Sequence, residues 1–361
     1  YELGLGIPAE PLFRSAGIDY FFAEGKMNVV YSSSDSYAPI AGVSIMSLLH
    51  NNTDADEINI YMIDNNISDE NKKRFENMVD KFGRNIVFIP RPDLNKMAGV
   101  DIEVGRWNIS TFFRLFLCTI LPDNLDRCIY LDCDTVVRHS LREFWETDLE
   151  DKIVAAVDDC RSDRYKTELN LPCDSTYTNN GVLLIDLKSW REMNVEKDFL
   201  DFIIAHNGDI TYVDQGVLNG VLAKKNLVKV IHTKYDAMTV FFDFNFKDLM
   251  KVRRPEHHLS EEEYIEAVTD PYIIHYTSCF LSGTRPWNEN NNHPFVGDYL
   301  KYKAMSPWKD FPQYPDVRKK SKKMMTSVCN AMPKRMMIAG ISLVHSKLYP
   351  MVRSLKGKRR G

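Results

Sequence analysis

Arg127-Cys128-Ile129-Tyr130-Leu131-Asp132-Cys133-Asp134-Thr135-Val136-Val137 decides how the chain is read. A short β-branched and aromatic run ends in two carboxylates spaced i, i+2, and an apolar run then resumes. The first run has the length and composition of a buried strand. Open α/β sheets bind ligands at the carboxyl ends of their strands, where Asp132 and Asp134 fall. Two hard oxygen donors there suit Mg²⁺ or Mn²⁺, ions that keep open positions for substrate phosphates. A bare Asp-x-Asp is most often a solvated turn. Here the acids close an apolar strand, which favours a metal site.

The elements before this stretch alternate. Asn28–Ser32 predicts a strand that runs into the polar turn Ser33–Tyr37, and a helix follows from about Pro39 to Leu49. Pro is tolerated in the first turn of a helix. Ile58–Asp64 is a second strand, Ser68 an N-cap for a helix ending before Gly83, and Ile86–Ile89 a third strand. A βαβαβ start implies a parallel sheet with helices on both faces. Later, Ser110–Leu117 reads as a buried helix, Ile153–Asp158 and Thr178–Leu187 as strands, and Pro271–Tyr276 as a late buried strand carrying His275. Helices are expected near Val195–His206 and Asp214–Leu222.

Composition bounds the class. Of 361 residues 44% are apolar and 27% charged, as in a globular protein with ample core. The net charge of -4 conceals an asymmetry: Val317–Gly361 carries 13 Lys/Arg and no acid, leaving about -17 on the rest. A body so acidic does not bind nucleic acid. Seven cysteines without a CxxC pair read as free thiols in a reducing, cytoplasmic setting. No run reaches the roughly 18 apolar residues of a spanning helix. Residues 1–26 read as an N-terminal extension or tag remnant, 27–309 as one catalytic domain, and 310–361 as a helical, basic, amphipathic tail. In that tail Ile338, Ile341, His345 and Leu348 would share a helix face between basic clusters. Such a segment suits an anionic membrane surface, here the inner face of the cell membrane.

Six pieces recur in order: Val30-Tyr31-Ser32…Asp35-Ser36-Tyr37, Phe113-Arg114-Leu115, Tyr130–Val137, Asn180–Leu187, Asp214–Asn219, and His275-Tyr276…Arg285-Pro286-Trp287. Together they resemble a retaining glycosyltransferase of family 8, the group of bacterial lipopolysaccharide glucosyl- and galactosyltransferases and glycogenin. The resemblance spans roughly residues 28–288. It implies a GT-A fold, a UDP-sugar donor of glucose or galactose, a glycan or glycolipid acceptor, and Mn²⁺ or Mg²⁺. It carries metal ligation to Asp132, Asp134 and His275. Donor binding falls to Ser34, Asp35, Ser36, Tyr37, Arg114, Asp132, Cys133, Asn179, Asn180, Gly283 and Arg285, and the chemistry to Arg114, Asp214 and Gln215. Arginine on an apolar helix independently asks for an anionic partner. Gln215 is a poor nucleophile, which favours same-face attack by the acceptor hydroxyl with the departing phosphate as base. The sequence departs from the family at Ser34 and Ser36, in the longer loop Thr277–Thr284, and at Arg285, where a Lys is usual.

Two other classes share features. Asp132-Cys133-Asp134-Thr135-Val136 fits the nucleophile motif of haloacid-dehalogenase-like phosphatases, in which Asp132 would take the phosphoryl group. That motif normally opens its domain, and here three strands precede it. A non-catalytic sugar-binding relative is the other alternative, against which stand both acids and His275.

Overall fold

The computed structural model describes residues 26–102, 109–172, 174–210, 212–255, 259–278, 285–344 and 348. Gly283, His345, the basic cluster Lys356–Arg360 and the expected extension before residue 26 lie outside these. Seven strands form the main sheet: β1 Met27–Ser34, β2 Ile58–Asn65, β3 Asn85–Pro90, β4 Arg127–Leu131, β6 Val154–Val157, β7 Val182–Asp186 and β8 Val228–Ile231. Their order is β3-β2-β1-β4-β7-β6-β8. All the pairs are parallel except those of β7, which runs antiparallel to β4 and β6. The mostly parallel α/β sheet expected from the sequence is present. A smaller sheet holds β5 Thr135–Val137, β9 Ala237–Met238 and β10 Ile273–His275, in the order β5-β10-β9.

Why β2, β4, β6 and β7 are mostly apolar follows from burial on both faces. Successive side chains point to opposite sides of a strand. Val29, Tyr31, Ile129 and Leu131 therefore enter one core, while Val30, Cys128 and Tyr130 enter the other. The helix Ala38–Asn51 covers the first face, and Trp308 packs so closely on that helix that a Cβ on Gly42 would collide with its ring. Ser68 caps its helix, Asp69–Asp80, by accepting from the Asn71 amide at 3.3 Å.

Three expectations need correction. The strand expected from Thr178 begins at Val182; Thr178 makes only an isolated bridge to Asp158, and the backbone between them turns. The helix expected over 110–117 is a 3-10 turn, Ile109–Phe116, running into a short α-helix, Leu117–Ile120. The tail face expected to meet a membrane is covered over its first half, while Leu348 is exposed. Ile338 and Ile341, on the helix Lys334–Leu343, are buried with Phe241, Leu249 and Val252. Lys334 pairs with Asp248 at 2.8 Å beside them. Packing also continues past residue 309: the Tyr314 hydroxyl donates to the Ser36 carbonyl at 2.8 Å.

Candidate active site

Asp132-Cys133-Asp134 is the connection between β4 of the large sheet and β5 of the small one. Both ends of this link are therefore fixed by ladders. In the small sheet β10 pairs antiparallel with β5, placing His275 opposite Thr135. The Tyr276 amide donates to the Asp134 carbonyl at 2.9 Å, which anchors the strand end carrying the histidine. Residues 141 positions apart thus meet by strand pairing alone. One ligand atom from each of Asp132, Asp134 and His275 lies within 4.8 Å of the others. His275 Nε2 is 3.3 Å from Asp134 Oδ1 and 3.7 Å from Asp132 Oδ2.

The donor set is two carboxylates and an imidazole nitrogen, hard to borderline, and open enough to leave positions for phosphate oxygens. It fits Mn²⁺ or Mg²⁺. The cradle is also tight, since a Cβ on Gly181 would overlap the His275 ring and stand 2.9 Å from Asp132 Oδ2. Burial alone would raise the Asp134 carboxyl, but Arg285 and then His275 outweigh burial and hold it at about 2. Burial works against charge on His275 too, yet Asp236 and Asp134 carry its pKa well above the ordinary value. The pair of acids draws positive charge from every side, which is the field a divalent cation needs.

Arg114 lies deep beside this group. Its Nη2 meets Asp132 Oδ1 at 2.7 Å and its Nε meets Asp214 Oδ2 at 3.1 Å, while Nη1 donates to the Asn180 carbonyl. The guanidinium also lies over the Tyr130 ring at 4.5 Å. Asn180 Nδ2 donates to Asp214 Oδ2, so the carboxylate is committed twice. Gln215 Nε2 donates to Asp159 Oδ2 at 2.8 Å and to the Thr178 carbonyl at 3.1 Å. With both amide hydrogens spent, Oε1 is the pole left to accept. Arg114→Lys keeps the charge but cannot serve Asp132, Asp214 and the Asn180 carbonyl at once. Donor turnover should fall by about 100-fold, with a stability loss of roughly 3 kcal/mol from the buried partners left unpaired; a melt and a kinetic run on the same preparation check both.

The other predicted residues divide. Arg285 Nη1 pairs with Asp134 Oδ2 at 2.9 Å and donates to the Tyr37 hydroxyl at 2.8 Å, joining two of them to the metal group. Asn179 Oδ1 accepts from the Gly181 amide at 2.8 Å and shapes the turn. Asp35 Oδ1 accepts from the Ser68 amide and from Asn71 Nδ2, both at 2.8 Å, bracing the next helix. Ser34 and Ser36 hydroxyls bond each other at 3.3 Å. The Cys133 thiol donates to the Ser32 carbonyl at 3.1 Å and does not join the acids.

The family model for glycosyl transferase family 8 matches residues 28–291. The chain belongs to that family. It is 30% identical over 285 residues to general stress protein A of Bacillus subtilis (strain 168), across 78% of this chain and 94% of that protein. It is 26% identical to a lipopolysaccharide 1,2-glucosyltransferase of Escherichia coli (strain K12), across 79% of each. The crystal structure of the galactosyltransferase LgtC in complex with donor and acceptor sugar analogs superposes with a TM-score of 0.65 at 25% identity, across 78% of this chain and 96% of that one. The fold is accordingly GT-A. As a family 8 glycosyltransferase the chain has no need of the phosphatase reading, and Arg114 holds the Asp132 carboxylate in an ion pair.

Three residues of this family member were missed from sequence. Asp159 and Asp236 fix Gln215 and His275 respectively, and Tyr130 backs Arg114. Asp159 had a readable signal, since it follows an apolar strand as Asp132 does. Asp236 had none, because its partner is reached only through the pairing of β9 with β10.

Proposed function

We propose that the chain transfers a hexose, glucose or galactose, from a UDP-linked donor to a hydroxyl of a glycan or glycolipid with retention, in bacterial surface polysaccharide synthesis. Asp132, Asp134 and His275 would hold Mn²⁺ or Mg²⁺. The observation that carries the reading is the convergence of these three on one point beside the Arg114–Asp214 pair. Its relatives named as lipopolysaccharide glucosyl- and galactosyltransferases support the sugar class. When bound, the ion supplies Lewis-acid stabilisation of the leaving diphosphate. Arg285 and Tyr37 close the donor side. Arg114 and Asn180 orient Asp214, whose remaining carboxylate oxygen can take a sugar hydroxyl and reject analogues lacking it. Because Asp214 is already bound twice and Gln215 presents an amide oxygen, neither is a strong nucleophile. Same-face attack by the acceptor, with the departing phosphate as base, agrees with that inventory. A panel of UDP-sugars with Mn²⁺, read by UDP release, should show turnover of one hexose donor that a chelator suppresses. Release that is equal in chelator, or absent with every UDP-sugar, overturns the reading.

Docking to the cytoplasmic leaflet belongs to the same proposal. No helix among the described residues is long and apolar enough to cross a membrane. With Ile338 and Ile341 packed inward, a surface that can meet lipid is the helix Lys320–Ala331, which has no buried residue. Met324, Met325 and Val328 are exposed there beside Lys319, Lys320 and Lys323. Each basic residue near an anionic surface adds about 1 kcal/mol. The double variant Lys319→Gln/Lys320→Gln, which removes two positive charges, should therefore bind anionic vesicles roughly 30-fold more weakly, with hydrolysis of soluble donor intact. Co-sedimentation measures it, and unchanged partitioning refutes the role of this helix.

A further inference from the structure

We propose that Asp236 is a positioning residue of the metal centre, setting the tautomer and ring orientation of His275. The inference rests on reading Asp132, Asp134 and His275 as metal ligands. Asp236 ends the short 3-10 turn Thr233–Asp236 and leads directly into β9. β9 runs parallel to β10, with Ala237 opposite Ile274 and Met238 opposite His275. The register delivers the Asp236 carboxylate to the side of the imidazole away from the acids. Its Oδ1 lies 2.8 Å from His275 Nδ1.

The consequence is directional. A proton held on Nδ1 by this carboxylate leaves the Nε2 lone pair as the donor, and Nε2 is the nitrogen facing Asp132 and Asp134. A ring flip would put a carbon against the metal group and Nδ1 out of reach of Asp236. Gly181 closes the remaining space, because anything larger there would strike the ring. Carboxylate–histidine–metal relays work in this way, fixing the ring and raising its basicity.

Burial argues that the carboxylate is not present for stability. Asp236 is wholly inaccessible, and among the described residues its side chain has one partner, His275. Its Oδ2 is buried with no hydrogen bond. A buried carboxylate with a single partner is poorly compensated for its lost hydration. A neutral residue of like shape, such as Asn, could still accept a hydrogen bond from His275 Nδ1. What a neutral residue cannot do is make the imidazole a stronger ligand.

The test is Mn²⁺ affinity of the full chain without donor, by electron paramagnetic resonance of the free ion. Asp236→Asn should bind Mn²⁺ about 10–100-fold more weakly while melting at or near the wild-type temperature. Donor turnover of the variant at low Mn²⁺ should fall and recover as Mn²⁺ is raised, a rescue that a purely structural role would not give. Should the asparagine variant fail to fold, Asp236→Ser, smaller and uncharged, is read in the same way. Wild-type affinity in either folded variant overturns the proposal. Absence of Mn²⁺ binding by the wild type itself would instead sink the metal reading beneath it, so the two failures are told apart.

Discussion

Asp134→Asn should give a folded protein that no longer transfers sugar. The substitution keeps volume and shape and removes one of the two carboxylates proposed to hold the metal. It also strips Arg285 of its carboxylate partner at 2.9 Å. Losing an outer-shell partner of a metal costs about 10–100-fold, and losing a direct ligand should exceed that range, so donor turnover is expected to drop by well over 100-fold. Stability responds less. The carboxyl is held at about 2 against an ordinary 3.8, so its contribution is full above about pH 4 and fades as pH falls toward 2. At neutral pH the variant should melt below the wild type, because Arg285 and His275 lose that carboxylate partner. Turnover and melting measured together decide the matter: full activity in the folded variant, or in wild type with chelator, would remove Asp134 from the mechanism.

Much of this arrangement was legible because local physics and global fold agree in the first half of the chain. β1, β2 and β3 are apolar runs punctuated by Ser68 and by turn residues, and the structure places them within a few residues of expectation. The acids of the Asp-x-Asp were readable because they break an apolar pattern where a parallel sheet ends. Three features were not readable, each for its own reason. β7 is as apolar as its neighbours, and apolarity does not encode direction, so its antiparallel run was invisible. Helical periodicity grouped Ile338 and Ile341 on one face, yet a wheel cannot say whether protein or lipid covers that face; the helix Phe246–Arg253 covers it. Asp35 was read by its motif as a donor-binding position, and the motif gave no sign that its Oδ1 also meets Ser68 and Asn71 on the following helix. Charged residues are recognised by type in a sequence and by partner in a fold.

Gly181→Ala tests the cradle itself, and its effect should rival that of losing a ligand. The residue is not glycine for reasons of backbone conformation, since it is not among the glycines with positive φ. It is glycine because of what lies over it. A Cβ would overlap His275 Cε1 and stand 2.8 Å from Nδ1 and 2.9 Å from Asp132 Oδ2. The backbone cannot withdraw to make room. The Gly181 carbonyl accepts from the Asp132 amide at 2.7 Å, and its amide donates to Asn179 Oδ1 at 2.8 Å. The strain must therefore pass to the imidazole and the carboxylate, moving two of the three proposed ligands with one methyl group. Overpacking alone costs about 1–3 kcal/mol, so a lower melt proves nothing about the metal. Gly42→Ala supplies the comparison. Its Cβ would strike the Trp308 ring, an equally tight contact that does not involve the cluster. Both variants should lose stability, but only Gly181→Ala should lose Mn²⁺ affinity, by more than the roughly 10–100-fold of an outer-shell change, and with it donor turnover. If the two variants bind Mn²⁺ alike at the wild-type level, the space above Gly181 is not what holds His275 and Asp132 in register.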